Sequence, residues 1–546
     1  MSALHHASPD VDMTKSNSTH NARTSPSIDK NQRYDRGIRI WGAEGQHLLE
    51  SSTICLLNAS ATGAEALKNL VLGGISSFTV VDDREVTEAD MGSNFMLHPG
   101  ALGKSRAQTV TEAVKELNEL VEGSFVEDNA RNVIENNPDF FKPFSIVIAT
   151  QLREQDAVAL DAICRGNDIP VVYAKSYGLV GSVRNSIREH RVIESKPDSV
   201  VQDYRFGRPW PALAELAAGF DLSTSSTMTS ADHSHVPYGI LYVKATLEYA
   251  QRHGANEMPS SMPERNDYRE VIKSWQLTID GCPIPEENFE EALSNLNKVW
   301  GPKEVPSDVL RVLDDKEAVE AGKDSEPFWV VCQALKRFYV EENALPVCPT
   351  IPDMHSSTAS YLALQQAYQA KFDQEVTRVC ELAHEVSPSV SRDFVRKMCL
   401  NARMLRVIRP KPMYAVQEVE MTPKLKEMLA SEVDGYSASI MFFLRHADAF
   451  FEEHSRYPGA ELEDAADTEE DARKMSVLLA NVPGVNEDMT NELVRSGGAE
   501  LHCIASIIGA IASQEVIKLL TKQMVPLCGT LVYDGINSLS TVIDTF

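Results

Sequence analysis

The chain is 546 residues long, enough for roughly three domains of ordinary size. Its 79 Asp and Glu outweigh 52 Lys and Arg, and the resulting net charge of −27 argues against a general nucleic-acid or anionic-membrane binder. Cysteines at 55, 164, 282, 332, 348, 380, 399, 503 and 528 are scattered, without a C-x-x-C pair or a secretory signal. Neither a disulfide framework nor a zinc ribbon is expected, and a reducing cytoplasm or nucleus is. The most apolar helical stretch, residues 504–512, is interrupted by Ser506 and Gly509 and is too short to cross a bilayer.

Residues 1–29 are rich in Ser, Thr, Asn, Asp and His and poor in large apolar side chains, so a disordered tail is expected. His5, His6 and His20 there have no Cys or regular spacing around them, and no metal site is expected. Order is expected from Arg33-Tyr34-Asp35-Arg36-Gly37-Ile38-Arg39-Ile40-Trp41-Gly42, leading into a helix-like stretch at 46–50. The apolar run 54–57, bounded by polar residues, reads as a parallel strand buried on both faces. From Gly63, Ala66, Leu67, Leu70 and Val71 recur at helical spacing, and Gly73-Gly74 supplies a left-handed C-cap. A second strand at 78–81 ends in Asp82-Asp83. Strand, turn, crossover helix and strand, with acids at the strand's carboxyl end, is the layout of a nucleotide site.

The turn in that unit departs from the layout. A phosphate-cradling loop uses several glycines because a Cβ keeps backbone N–H groups away from the phosphates. In Asn58-Ala59-Ser60-Ala61-Thr62-Gly63 only Gly63 remains, while Ser60 or Thr62 is placed to cap the helix. Two readings stay open: a nucleotide-type scaffold with a spoiled phosphate loop, or a unit that only builds the sheet.

A helix through Val110, Val114 and Leu117 follows, then a strand at 145–149, a helix over 160–164, and strands at 170–173 and 179–187. The alternation predicts an α/β fold, a Rossmann-like and mostly parallel sheet with helices on both faces. Beyond residue 188 the pattern turns to long helical periodicities, at 240–249, 289–296, 328–340 and 361–383, with proline-bearing connectors at 256–263 and 345–352. Asp232-His233-Ser234-His235 has three metal-capable side chains in four positions, but no distant Cys or His set completes them, so a loop or helix-cap role is expected. The acidic run 461–471 reads as a solvated face. A small-residue-rich helix at 504–520 and a strand at 530–533 return to the first pattern. The expected organisation is a tail over 1–29, an α/β domain over 30–187 and 485–546, and a mainly helical insertion over 188–484.

The segment from Arg33 to Gly42, the turn at 58–63, Asn94-Phe95, Gly103-Lys104 and the late Ala512-Ser513-Gln514-Glu515-Val516-Ile517-Lys518 resemble the activating enzymes of ubiquitin-like proteins, relatives of the bacterial MoeB and ThiF adenylating proteins. Within that group, Glu194-Ser195-Lys196-Pro197-Asp198, Asp232-His233-Ser234-His235, Glu286-Glu287-Asn288-Phe289, Ile351-Pro352-Asp353-Met354 and Arg456-Tyr457-Pro458-Gly459 resemble the regulatory subunits of heterodimeric Nedd/Rub-activating enzymes. The resemblance runs from about residue 30 to 546.

Such enzymes pair a catalytic adenylation fold with a degenerate one, and the resemblance implies that this chain carries the degenerate fold. ATP, magnesium and the thioester cysteine then belong to a partner subunit, and the substrate is the C-terminal glycine of a Nedd/Rub-type modifier. No cofactor or metal is expected in this chain: Asn58, Ser60, Thr62 and Gly63 replace the glycine-rich loop, and Thr150-Gln151 stands where the catalytic half has a magnesium-binding aspartate. The Asn-x-x-Arg-Gln pattern is absent around Asn94, and neither Cys332 nor Cys348 has an active-site context. Asp82 and Lys104 match nucleotide-half positions, with local structural roles expected for both. The resemblance places Arg36 across the dimer interface at the partner's nucleotide, although Gly37 stands where the family usually has glutamine. It also makes Ile351, Pro352, Asp353 and Met354 a partner-contact segment. Against this stand two other classes, a dinucleotide-dependent oxidoreductase and a self-sufficient adenylating enzyme.

Overall fold

The computed structural model describes residues 29–543 apart from 197–201, 224–227, 254–257, 281, 301–303, 414–421, 432–434, 461–464, 483, 484 and 486. The tail expected over 1–29 lies outside the described residues except for Asp29, whose carboxylate caps the first short helix by accepting the amides of Asn31 and Gln32.

Helix α1 (Asp35–Glu50), kinked where Gly42 takes φ 71°, leads into β1 (Thr53–Leu57), α2 (Ala61–Gly73) and β2 (Ser77–Val81). There follow α3 (Arg106–Lys115), β3 (Glu122–Val126), β4 (Ile146–Thr150), α4 (Glu154–Gly166), β5 (Val171–Tyr177) and β6 (Val180–Ser186). The chain then leaves through β7 (His190–Val192), which pairs antiparallel with β8 (Arg406–Ile408). Between those two strands lie helices that include α5 (Tyr238–His253), α6 (Pro327–Glu342) and α7 (Thr358–Val386). Helices α8 (Gly435–His454) and α9 (His502–Thr521) precede a final hairpin of β9 (Thr530–Asp534) and β10 (Leu539–Ile543).

One eight-stranded sheet runs in the order β10-β9-β6-β5-β4-β1-β2-β3. Every pair from β3 to β5 is parallel, whereas β5, β6, β9 and β10 pair antiparallel. The switch from parallel to antiparallel has a local cause: Gly178 sits at φ 54° between β5 and β6, so a tight turn replaces a crossover helix. Both faces of β1 and β4 are covered, which is why their sequences are continuous apolar runs. Ile54, Leu56, Ile146 and Ile148 pack with α2 and α9, and Cys55, Leu57, Val147 and Ala149 with α4.

Helix α9 extends further than the apolar stretch read from the sequence. By length and composition it is long enough to cross a membrane, yet 56% of its most apolar window is buried inside the fold. It lies close on α2: a Cβ added at Gly509 would stand 2.8 Å from Glu65 Cβ. The helices between β7 and β8 build their own apolar core, which contains Tyr242, Phe289, Phe338 and Tyr368. Helix α8 packs instead over Tyr177, Val180, Val532 and Ile543 of the antiparallel strands. The acidic run is not a purely solvated face. Residues 461–464 lie outside the described residues, but Asp471 is 1% exposed, pairs with Arg456 and accepts the Gly459 amide at 2.9 Å.

Candidate functional site: a filled phosphate loop and a free arginine

Strand order reverses between β1 and β4, so the segments following their carboxyl ends diverge there and open the crevice where α/β sheets take ligands. Three pieces meet at this point: the turn 58–60 with the first residues of α2, Thr150-Gln151, and Asp82 beyond β2.

The turn is satisfied from within the chain. Asn58 adopts φ 64°, its amide donates to Val81 O at 2.9 Å, and its Nδ2 donates to Thr150 O at 2.8 Å. The Ala59 amide donates to Asp82 Oδ2 at 2.7 Å. Ser60 is the N-cap of α2 and accepts the Gly63 amide at 3.5 Å. Gly63 is needed for closeness rather than for flexibility: a Cβ there would stand 2.6 Å from Asn58 O and 2.7 Å from Thr150 Oγ1. The chain has closed onto the space that a phosphate would require.

An acid that no sequence pattern marked completes the closure. Glu500, just before α9, sets Oε1 at the N-terminal end of α2, where it accepts the Thr62 amide at 3.1 Å and the Thr62 hydroxyl at 2.6 Å. The same oxygen accepts Ser60 Oγ at 3.2 Å and Ser176 Oγ at 3.0 Å. A helix N-terminus favours an anion, and here the chain supplies one itself.

Asp82 is likewise engaged. Only 1% exposed, it accepts Arg106 Nε at 2.8 Å and the Arg84 amide at 3.0 Å, while Arg106 also reaches Asp90 at 2.9 Å. Burial works against the Arg106 charge, yet Asp82 and then Asp90 together hold its pKa above the ordinary value. Lys104 is exposed, with its backbone bonded to Val86 and Ala101. At the end of β4, Thr150 Oγ1 donates to Asn58 O at 2.6 Å, and the side chain of the next residue, Gln151, exchanges two hydrogen bonds with the Ser176 backbone, at 2.7 and 3.1 Å. An amide locked to β5 offers no carboxylate to a cation. The residues present therefore do not fit a nucleotide with its magnesium.

Arg36 presents the opposite situation. It is exposed, and its side chain makes no hydrogen bond or ion pair among the described residues. Its two local candidates for structural pairing are taken: Asp35 by Arg39 at 2.9 Å and Glu44 by Lys397 at 2.8 Å. Where the resemblance expects glutamine, Gly37 leaves room for Trp41 and Gln46, each of which would lie 3.1 Å from a Cβ at that position.

The segment 351–354 lies only partly at the surface. Ile351 is 3% and Met354 6% exposed, and both belong to this chain's own helical core, which leaves Asp353 exposed and Pro352 half-buried. Ile351 and Met354 pin an irregular connector to that core, with Pro352-Asp353 between them. His233 is also structural, buried against Phe289 with Nδ1 2.7 Å from Glu286. Burial raises the Cys332 thiol well above its usual range and Cys348 less so, which disfavours the thiolate a thioester requires.

Residues 34–543 match the ThiF family. A NEDD8-activating enzyme E1 regulatory subunit named AXL, from Arabidopsis thaliana, is 39% identical across 92% of this chain and 97% of its own length. The NEDD8-activating enzyme E1 regulatory subunit of Gallus gallus is 35% identical across 94% of this chain and 97% of its own. That of Drosophila melanogaster is 34% identical across 96% and 99%.

Proposed function

Because this chain belongs to the ThiF family and, within it, to the NEDD8-activating enzyme E1 regulatory subunits, we propose that it acts as the nucleotide-free half of a heterodimer. With a catalytic, cysteine-bearing subunit it supports ATP-dependent adenylation of the C-terminal glycine of a NEDD8-type modifier, ahead of thioester transfer, in cytoplasm and nucleus. ATP, magnesium and the nucleophilic cysteine reside in the partner.

One observation carries this reading: the amides of Ala59 and Thr62, which a phosphate loop would present to a nucleotide, are bonded to the chain's own carboxylates of Asp82 and Glu500. The same closure speaks against a self-sufficient adenylating enzyme. It speaks equally against an oxidoreductase, which would need an acid beyond β2 free for a ribose, whereas Asp82 is buried and paired. Arg36 is the chain's contribution to the chemistry. A guanidinium carries a fixed charge and a fork of donors matched to phosphate oxygens, so its delivery in trans makes adenylation depend on assembly.

Pyrophosphate exchange tests the assignment. The isolated chain is expected to show none, and exchange is expected to appear when the catalytic subunit and modifier are added. Robust exchange by the chain alone overturns the proposal.

A further inference from the structure

We propose that Tyr34 is a positioning residue for Arg36, seated in a socket formed by the end of α2 and by Asn118; this rests on the in-trans reading of Arg36 given above. Residues 31–33 and Arg36 are exposed, yet Tyr34 among them is 5% exposed. Its hydroxyl oxygen accepts Asn118 Nδ2 at 3.0 Å, and the same amide group donates to Val71 O at 2.8 Å, tying the ring to the last turn of α2. Asn118 is itself held, since its Oδ1 accepts the Leu120 amide at 3.3 Å.

Gly74 makes the socket possible on two counts. It caps α2 at φ 87°, a conformation that favours glycine, and a Cβ there would stand 2.5 Å from Tyr34 Cζ. The ring occupies the place of the missing side chain.

The other end of the arm is also fixed. Gln523 donates to Trp41 O at 2.8 Å, Lys196 to Ile40 O at 2.9 Å, and Trp41 Nε1 to Gln46 Oε1 at 3.3 Å. Between the two anchors the backbone is helical, with the Ile38 amide on Tyr34 O at 2.9 Å. A step of two residues turns a helix through about 200°, so seating Tyr34 inward aims Arg36 outward. Without the inward anchor this end of the arm keeps only exposed contacts, Arg33 Nη2 on Leu117 O at 3.1 Å and Lys30 on Glu50 at 3.1 Å, and the guanidinium loses its fixed approach to a phosphate. A misplacement of about 1 Å at a reacting centre costs on the order of 100-fold in rate.

The test is pyrophosphate exchange by the assembled heterodimer carrying Tyr34→Ala, Arg36→Ala or both, with subunit affinity measured in parallel. Tyr34→Leu, which fills the socket without reaching Asn118, serves where Tyr34→Ala fails to fold. We expect the Tyr34→Ala variant to assemble normally and exchange about 100-fold more slowly, Tyr34→Phe, which keeps the ring beside Gly74 but loses the bond to Asn118, to lie between that variant and wild type, and the double variant to be no slower than Arg36→Ala alone. If the two effects multiply, or if the Tyr34 variant exchanges at the wild-type rate while Arg36→Ala is slow, the positioning role is overturned and the in-trans role stands. An Arg36→Ala heterodimer at the wild-type rate overturns both.

Discussion

Glu500 brings a formal negative charge to the N-terminal end of α2, where unpaired amides and the helix dipole favour one. Removing it strands the Thr62 amide and leaves the Thr62 and Ser176 hydroxyls bonded only to each other. Glu500→Ala should therefore destabilise the protein by about 1–3 kcal/mol in urea unfolding, the usual consequence of leaving a buried donor without a partner. Unfolding at the wild-type midpoint would mean that the carboxylate is incidental. His190 carries a different prediction. Burial, and then the nearby Lys522 and Arg191 charges, depress its pKa from the ordinary 6.5 to about 4. The folded state thus resists a proton that the unfolded chain accepts, so stability is fully present above pH 6.5 and is lost as pH falls towards 4. The loss amounts to about 3 kcal/mol, and His190→Gln should flatten that part of the stability–pH curve. A curve unchanged by the substitution would assign the acid sensitivity elsewhere. For Arg36→Ala, loss of a phosphate contact worth about 2–4 kcal/mol predicts exchange slowed about 30- to 1000-fold with assembly intact.

Helices α8 and α4 are joined by a charged seam. Asp448 on α8 pairs with Lys175 of β5 and accepts the Glu154 amide at 3.0 Å, so it also caps the first turn of α4. Arg445 reaches Glu154 at 2.7 Å, and Glu452 reaches Arg131 at 2.9 Å and Arg153 at 3.3 Å. Asp448→Ala would leave Lys175, only 13% exposed, without its carboxylate, at a cost of about 3 kcal/mol. The pair Asp448→Leu with Lys175→Met should cost less than Asp448→Ala alone, because an apolar pair strands no charge. If the double replacement is the more damaging, Asp448 matters chiefly as the cap of α4. None of this seam was legible in the sequence: its charges lie hundreds of residues apart, and α8 is not among the helices read from periodicity. Strands β1 and β4 and the first half of β5 were legible because burial on both faces forces continuous apolar runs. Strand β10 was not, since Leu539, Ser540 and Val542 face solvent at the sheet's edge.

Over the whole molecule, two ends of the chain some 440 residues apart converge on one crevice. The loss of glycines at 58–63 and of a carboxylate at Thr150-Gln151 could be read directly, because each is a missing residue type in a known place. What replaced them could not. Glu500 follows Gly497-Gly498 in a stretch without any motif, and its partners Ser60, Thr62 and Ser176 are residues found in any turn or strand. Arg36 was singled out for the complementary reason that its Tyr-Asp-Arg segment resembles a family pattern, while burial of the neighbouring Tyr34 carried no such signal. In the proposed heterodimer this chain lends an arginine to a nucleotide that it does not itself hold. The decisive measurement is equilibrium binding of ATP with magnesium to the isolated chain and to the assembled heterodimer. No binding to the chain alone and one nucleotide per heterodimer are expected; saturable binding to the isolated chain, abolished by substitutions at Ser60 or Thr62, would contradict this.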